Sequence, residues 1–191
     1  MDWWNISGNP NLPWIEKNLL KYWSKNIEWG NIARNETLFG SDKNFFSSNY
    51  DKWSTHNFKN FSKLSSNRYL PWSKDFIESY KYHWDWRMLC INEGIPWDIE
   101  LIEYFSKYVE WGGYYPCELY NGEGEVISAV GGKGFASGFI INEFLPWSIE
   151  FILHFEKDIN FRALVMNDGV WEKAFKPFMS EDIIETVIRI F

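Results

Sequence analysis

An asparagine followed three residues later by an aliphatic residue recurs along this chain, and in four of its occurrences Pro-Trp comes next. Around Asn92 the frame places Trp86 six residues before, Leu89 three before, and Ile95, Pro96 and Trp97 after. Asn9 repeats it with Trp3, Ile6, Leu12, Pro13 and Trp14, and Asn67 with Phe61, Leu64, Leu70, Pro71 and Trp72. Asn35 has Trp29, Ile32 and Leu38, and Asn167 has Phe161, Leu164 and Val170. Asn142 has Phe139, Leu145, Pro146 and Trp147, with Ala136 at the place of the aromatic six residues before. The spacings between these asparagines are 26, 32, 25, 50 and 25. A unit of about 25 residues is thus repeated, with extra residues in two places. A unit this short cannot bury its apolar face alone and must stack on its neighbours.

Within a unit, the stretch after Pro-Trp reads as an amphipathic helix. Phe76, Ile77, Tyr80 and Trp84 share one face, as do Leu101, Ile102, Phe105 and Val109, Phe151, Ile152, Phe155 and Ile159, and Leu19, Leu20, Trp23 and Ile27. Ser73, Asp98 and Ser148 follow the Trp as N-caps, and the preceding Pro keeps the chain extended before the helix. A shorter second helix is expected from Asp85 or Trp86 to Ile91. The predicted fold class is mainly α: a short α-solenoid of helix pairs, forming one repeat domain over 1–191 with a C-terminal cap at 172–191. In that cap, Ile183, Ile184, Val187, Ile188 and Phe191 line one side of a final helix opened by Ser180. The N-terminus enters in mid-unit at Asp2-Trp3, as if the first helix were missing or the cap abbreviated.

The unit carrying Leu70, Pro71, Trp72, Ser73, Phe76, Ile77, Tyr80, Trp84, Asp85, Trp86, Leu89 and Asn92 resembles a known pattern. It is similar to the tandem Trp-rich repeat L-P-W-S-x-E-L-I-E-x-Y-x-x-x-W-D-W-x-x-L-S-x-N of bacterial and giant-virus proteins. The resemblance covers residues 3–111 and 136–171. It implies the repeat architecture and brings no activity, cofactor or site residue with it. A Trp recurring at one repeat position is a packing element between units, each ring burying on the order of 200 Å². The recurrent Asn reads as an inward amide satisfying loop backbone from unit to unit.

Motifs that carry chemistry are sparse. Of the three histidines, His56, His83 and His154, the last two do not occupy equivalent repeat positions, and no H-E-x-x-H, H-x-H or C-x-x-C spacing occurs among them and Cys90 and Cys117. Neither a metal nor a cofactor is therefore expected. Cys90 reads as a small buried hydrophobe, and His83 beside Asp85 is the one hint of acid–base chemistry. The stretch GGKGFASG at 131–138 sets Lys133 among glycines, as a phosphate cradle does, without the Gly-Lys-Ser/Thr ending; its ordinary reading is a flexible loop.

The two long spacings mark where a binding surface belongs. About six extra residues fall at 54–60, and about 25 at 112–135. The longer insertion is either a β-hairpin turning at Asn121-Gly122 or a degenerate repeat, since 50 is twice 25. Its Tyr114, Tyr115, Glu118, Tyr120, Glu123 and Glu125 compose an aromatic, acidic recognition surface.

Charge narrows the partner. Residues 1–70 carry 9 Lys+Arg against 6 Asp+Glu, and residues 71–191 carry 10 against 20, so +3 is followed by −10. That balance favours a basic protein partner and disfavours nucleic acid, because the excess carboxylates repel phosphates and the aromatics have no basic residues among them to offset it. No apolar run is long enough to span a membrane, and no basic segment followed by an apolar one opens the chain, so a cytoplasmic protein is expected. The leading functional expectation is a non-enzymatic protein-binding repeat protein, in its most concrete form an immunity or inhibitor protein neutralising a basic toxin such as a nuclease. The alternative is a phage or viral counter-defence protein that sequesters a nucleotide, through Lys133, or blocks a host enzyme.

Overall fold

The computed structural model describes residues 1–14, 17–23, 25–42, 44–54, 58–112, 114–120, 126–136 and 138–180, with the backbone alone for 54, 58–60, 114–120 and 126–136. The chain is mainly helical and divides into two compact units, Met1–Pro96 and Trp97–Phe191.

The first unit contains short helices: α1 (Trp3–Gly8), α2 (Leu19–Trp23), α3 (Trp29–Ile32), α4 (Glu36–Ser41), α5 (Phe45–Ser48), α6 (Tyr50–Ser54), α7 (Phe58–Ser65), α8 (Lys74–Ser79) and α9 (Trp86–Cys90). The repeated Asn organises the turns between them. Where Pro follows at the fourth position the chain cannot enter a helix at once. The side-chain oxygen then accepts from the backbone two residues on: Asn9 from Asn11 at 2.9 Å, Asn67 from Tyr69 at 2.9 Å, Asn92 from Gly94 at 2.7 Å. Asn35 lacks that Pro, so α4 starts directly after it and its oxygen caps the helix at the Leu38 nitrogen, 3.2 Å away. The Trp five residues after the Asn donates its indole N–H back to the Asn carbonyl, Trp14 to Asn9 at 2.7 Å and Trp72 to Asn67 at 2.9 Å.

The amide of each Asn reaches the unit before. Asn35 donates to the Asn9 carbonyl at 3.3 Å, Asn67 to Ala33 at 2.9 Å, and Asn92 to Ser65 at 2.7 Å and Asn67 at 3.3 Å. All three side chains are buried. One residue type therefore shapes its own turn and ties it to the preceding one.

Aromatic rings fill the core. Phe46 meets Phe61, Phe76, Tyr80 and Trp84 at centroid distances between 5.0 and 6.3 Å. The indoles of Trp53 and Trp84 each donate to the carbonyl seven residues before, Phe46 and Ile77, both at 3.0 Å. Trp53 thus holds the place of Trp84, and the extra residues of its unit follow it. Residues 55–57 lie outside the described residues.

The second unit contains α10 (Ile99–Tyr104), β1 (Tyr114–Tyr120), β2 (Val126–Ala136), a 3₁₀ turn (Gly138–Ile141), α11 (Ile149–His154), α12 (Phe161–Leu164) and α13 (Asp168–Val170). Asn142 and Asn167 behave as their sequence contexts dictate. Asn142, with Pro146 after it, accepts from the Phe144 nitrogen at 2.9 Å, while Asn167, without Pro, caps α13. Trp147 donates to the Asn142 carbonyl at 2.8 Å, and Asn167 donates to Ile140 at 2.8 Å. The caps follow the Pro-Trp rule in both units, with Ser73, Asp98 and Ser148 accepting from Phe76, Leu101 and Phe151 at 3.2, 2.8 and 3.0 Å.

The first helices of the repeats are shorter than their apolar stripes imply. They end at Ser79, Tyr104 and His154, so Trp84, Val109 and Ile159 lie beyond them. Three-residue turns, closed by His83 on Tyr80, Tyr108 on Phe105 and Asp158 on Phe155, carry the stripe onward. After α13, Trp171–Phe175 forms a π-helical turn and Lys176–Phe178 a 3₁₀ turn. The final helix expected after Ser180 lies outside the described residues.

Candidate functional site

The long insertion leaves the second unit through a helical turn that it does not break. In the unit closed by Asn92, the Leu89 nitrogen donates to the Asp85 carbonyl at 3.0 Å, and in that closed by Asn167, Leu164 donates to Asn160 at 3.0 Å. The equivalent pair here is Phe139 and Glu110, bonded at 2.9 Å, followed by Ile140 to Trp111 at 3.0 Å. The helical hydrogen bonds persist while the chain departs after Trp111 and returns before Phe139. Gly112 and Gly138 make the exit and re-entry with φ of 76° and 74°, a region that L side chains rarely occupy. A Cβ on Gly138 would stand 2.3 Å from the Glu110 carbonyl oxygen.

This splice corrects the repeat frame. The aromatic six residues before Asn packs on the following first-helix segment, as Trp29 does on Trp53 at 5.1 Å and Phe61 on Trp84 at 5.3 Å. In the unit closed by Asn142 that ring belongs to Trp111, which meets Phe155 at 4.8 Å and Phe139 at 5.3 Å. Ala136, the residue six places before Asn142, lies instead at the end of β2.

Between exit and return, β1 and β2 pair antiparallel, with Tyr114 opposite Ala136, Tyr115 opposite Phe135, Cys117 opposite Val130, and Glu118 opposite Ala129. Tyr114, Tyr115, Glu118 and Tyr120 therefore share one strand. Glu123, Glu125 and the Asn121-Gly122 pair lie outside the described residues. Lys133 lies in β2, not in a loop as the glycines around it imply. Residues 131–134 fall between the partners of Tyr115 and Cys117, opposite Pro116, whose missing N–H leaves the ladder without a donor at that point.

The other candidates resolve into packing. Cys90 is fully buried. The Asp85 carboxylate caps α9 at the Met88 nitrogen and accepts from the Ser62 hydroxyl at 2.7 Å, while the His83 ring lies against Phe61 at 4.9 Å. In the first unit, Arg68 stands between Glu36 and Glu93, 3.5 and 3.4 Å away. The Tyr69 hydroxyl, and after it Glu36, holds this guanidinium's pKa above its ordinary value. In the second unit, His154 and Glu103, 2.8 Å apart, edge an open cleft with Ser106 and Asp158, a pairing that sequence spacing does not announce.

The described residues include no group of three or more His, Cys, Asp or Glu side chains able to hold a metal, and none of their helices is long and apolar enough to cross a membrane. The first unit carries 12 Lys+Arg against 10 Asp+Glu, the second 7 against 16, so the net charges are +2 and −9. No family model, curated protein or solved structure matches the chain.

Proposed function

We propose that this chain is a non-enzymatic, protein-binding repeat protein whose second unit engages a basic protein. In this reading the helix pairs stack as a short solenoid of the Trp-rich repeat kind, and the segment 112–135 is a β-hairpin displayed from it. The observation that carries the reading is the kept helical turn at Glu110 and Phe139, in the unit of net charge −9. A segment carried outside an unbroken turn can serve a partner without being needed for packing. The concrete form is a cytoplasmic immunity or inhibitor protein that covers the basic active site of a toxin such as a nuclease, with Tyr114, Tyr115, Glu118, Tyr120, Glu123 and Glu125 at the contact. Opposed charge of this kind speeds encounter and rejects acidic competitors.

The test is co-purification from the native host, followed by reversal of Glu118, Glu123 and Glu125 to Lys. Recovery of one basic protein, released by the reversal and inhibited by the unaltered chain, is the expected outcome. Recovery of no basic protein, or capture indifferent to the reversal, would sink it.

A further inference from the structure

A second feature of the acidic unit lies away from the insertion. Between the start of α10 and the start of α11 runs an open groove of about 450 Å³, walled by half-buried Ile99 and exposed Pro146 and floored by Phe151. Asp98, Glu100 and Glu150 rim it, all three exposed. Asp98 is held at the edge by its cap bond to the Leu101 nitrogen at 2.8 Å, which fixes where that carboxylate stands.

We propose that this groove docks an extended basic segment of the partner protein, in which a Lys or Arg and an aliphatic residue two places away share one face. The inference rests on the reading of a basic partner and assigns it a second point of attachment. An apolar floor with a carboxylate rim matches the two halves of a Lys or Arg side chain. The methylene stem lies on Ile99 and Pro146 while the charged head meets Asp98, Glu100 or Glu150. The same rim repels nucleic-acid phosphates and anionic lipid headgroups, which disfavours both as occupants. An aliphatic residue two places from the basic one, on the same face of the extended segment, covers the remaining apolar wall, which a free cation would leave wet.

The probe is a fluorescein-labelled Leu-Arg peptide of Leu-Leu-Arg-Arg repeats, which sets Leu and Arg on each face, with a Leu-Glu peptide of Leu-Leu-Glu-Glu repeats as its opposite, titrated with the full chain and read by fluorescence anisotropy at near-physiological salt. The Leu-Arg peptide is expected to bind and the Leu-Glu peptide not. Replacing Asp98→Asn, Glu100→Gln and Glu150→Gln together weakens binding by about tenfold or more. Asn still caps α10, so the fold is retained. Ile99→Asn, which keeps every carboxylate, also weakens it. Removing three carboxylates elsewhere in the same unit (Glu143→Gln, Glu156→Gln and Asp168→Asn) changes it less than about twofold, since exposed charges at a distance are screened.

Equal losses in the two triple variants, or no loss in the groove triple, overturn the groove. So does failure of the Leu-Arg peptide to bind. Loss confined to a third triple, Glu118→Gln, Glu123→Gln and Glu125→Gln, also overturns it while leaving the basic-partner reading intact. That reading stands or falls separately, on co-purification from the host.

Discussion

The amide of Phe139 donates to the carbonyl of Glu110 at 2.9 Å, closing a helical turn across an interruption of 25 residues, 113–137. Phe139 is fully buried, so the splice sits in the core of its unit and not on its surface. The interruption is therefore topological, and the packing on either side is continuous.

Excision is the direct consequence. Removing 113–137 joins Gly112 to Gly138 and restores Trp-x-x-Phe, the spacing of Trp86 and Leu89. With Gly112→Arg and Gly138→Met, as at Arg87 and Met88, the spliced turn regains helix-forming residues. The shortened chain should keep its helical circular dichroism and prove at least as stable as the parent in urea, because excision removes a loop-closure cost of roughly 3 kcal/mol and each glycine replaced in the turn contributes about 1 kcal/mol more. Binding of the host partner should be lost. Failure to fold would mean that the inserted segment is part of the core.

In the intact chain the re-entry point is intolerant. Gly138→Ala forces a φ of 74° on an L side chain and brings its Cβ within 2.3 Å of the Glu110 oxygen. Relief requires breaking the Phe139 bond, so a loss of about 3 kcal/mol is expected in urea unfolding. A variant as stable as the parent would show that this turn is not held as described.

The Asn ladder has a sharper chemical test. Asn92 supplies donors to two carbonyls, those of Ser65 and Asn67, and an acceptor to the Gly94 nitrogen. Asn92→Ala takes this partner from the Ser65 carbonyl and the Gly94 nitrogen, while the Asn67 carbonyl keeps the Trp72 indole, and should cost about 3 kcal/mol. Asn92→Asp keeps the acceptor but faces the carbonyls with a carboxylate, so it should recover none of that loss. By contrast Asn11→Ala, at an exposed position, should stay within about 0.5 kcal/mol of the parent. Equal stability of the Asp variant and the parent would show that the amide is dispensable.

These relations explain what could be read from residues alone. The Asn–Trp spacing and the helix caps were legible because each is a local hydrogen bond with a fixed reach, as between Trp72 and the Asn67 carbonyl. Helix length was not, because an apolar stripe ending at Trp84 reads the same whether the last turn is helical or a tighter three-residue turn. The groove was also hidden, since Ile99 and Pro146 lie 47 residues apart and only packing sets them side by side. The sixth residue before Asn142 is Ala136 and not a ring because the insertion separates Asn142 from Trp111. Counting forward from Pro-Trp finds the right ring, as Trp97 to Trp111 is 14 residues, like Trp72 to Trp86.

Trp111 therefore holds the aromatic position of its repeat. Trp111 is half-buried, with Phe139, Phe151 and Phe155 around its ring at 5.3, 6.2 and 4.8 Å. Trp111→Ala removes those contacts and should cost about 3 kcal/mol in urea unfolding. Trp111→Phe should cost only about 1 kcal/mol, because Phe61 fills the same place in its own unit against Trp84. Ala136→Phe, which puts a ring six residues before Asn142, should restore nothing when combined with Trp111→Ala. Rescue by that second change would return the repeat position to Ala136 and place the insertion before it.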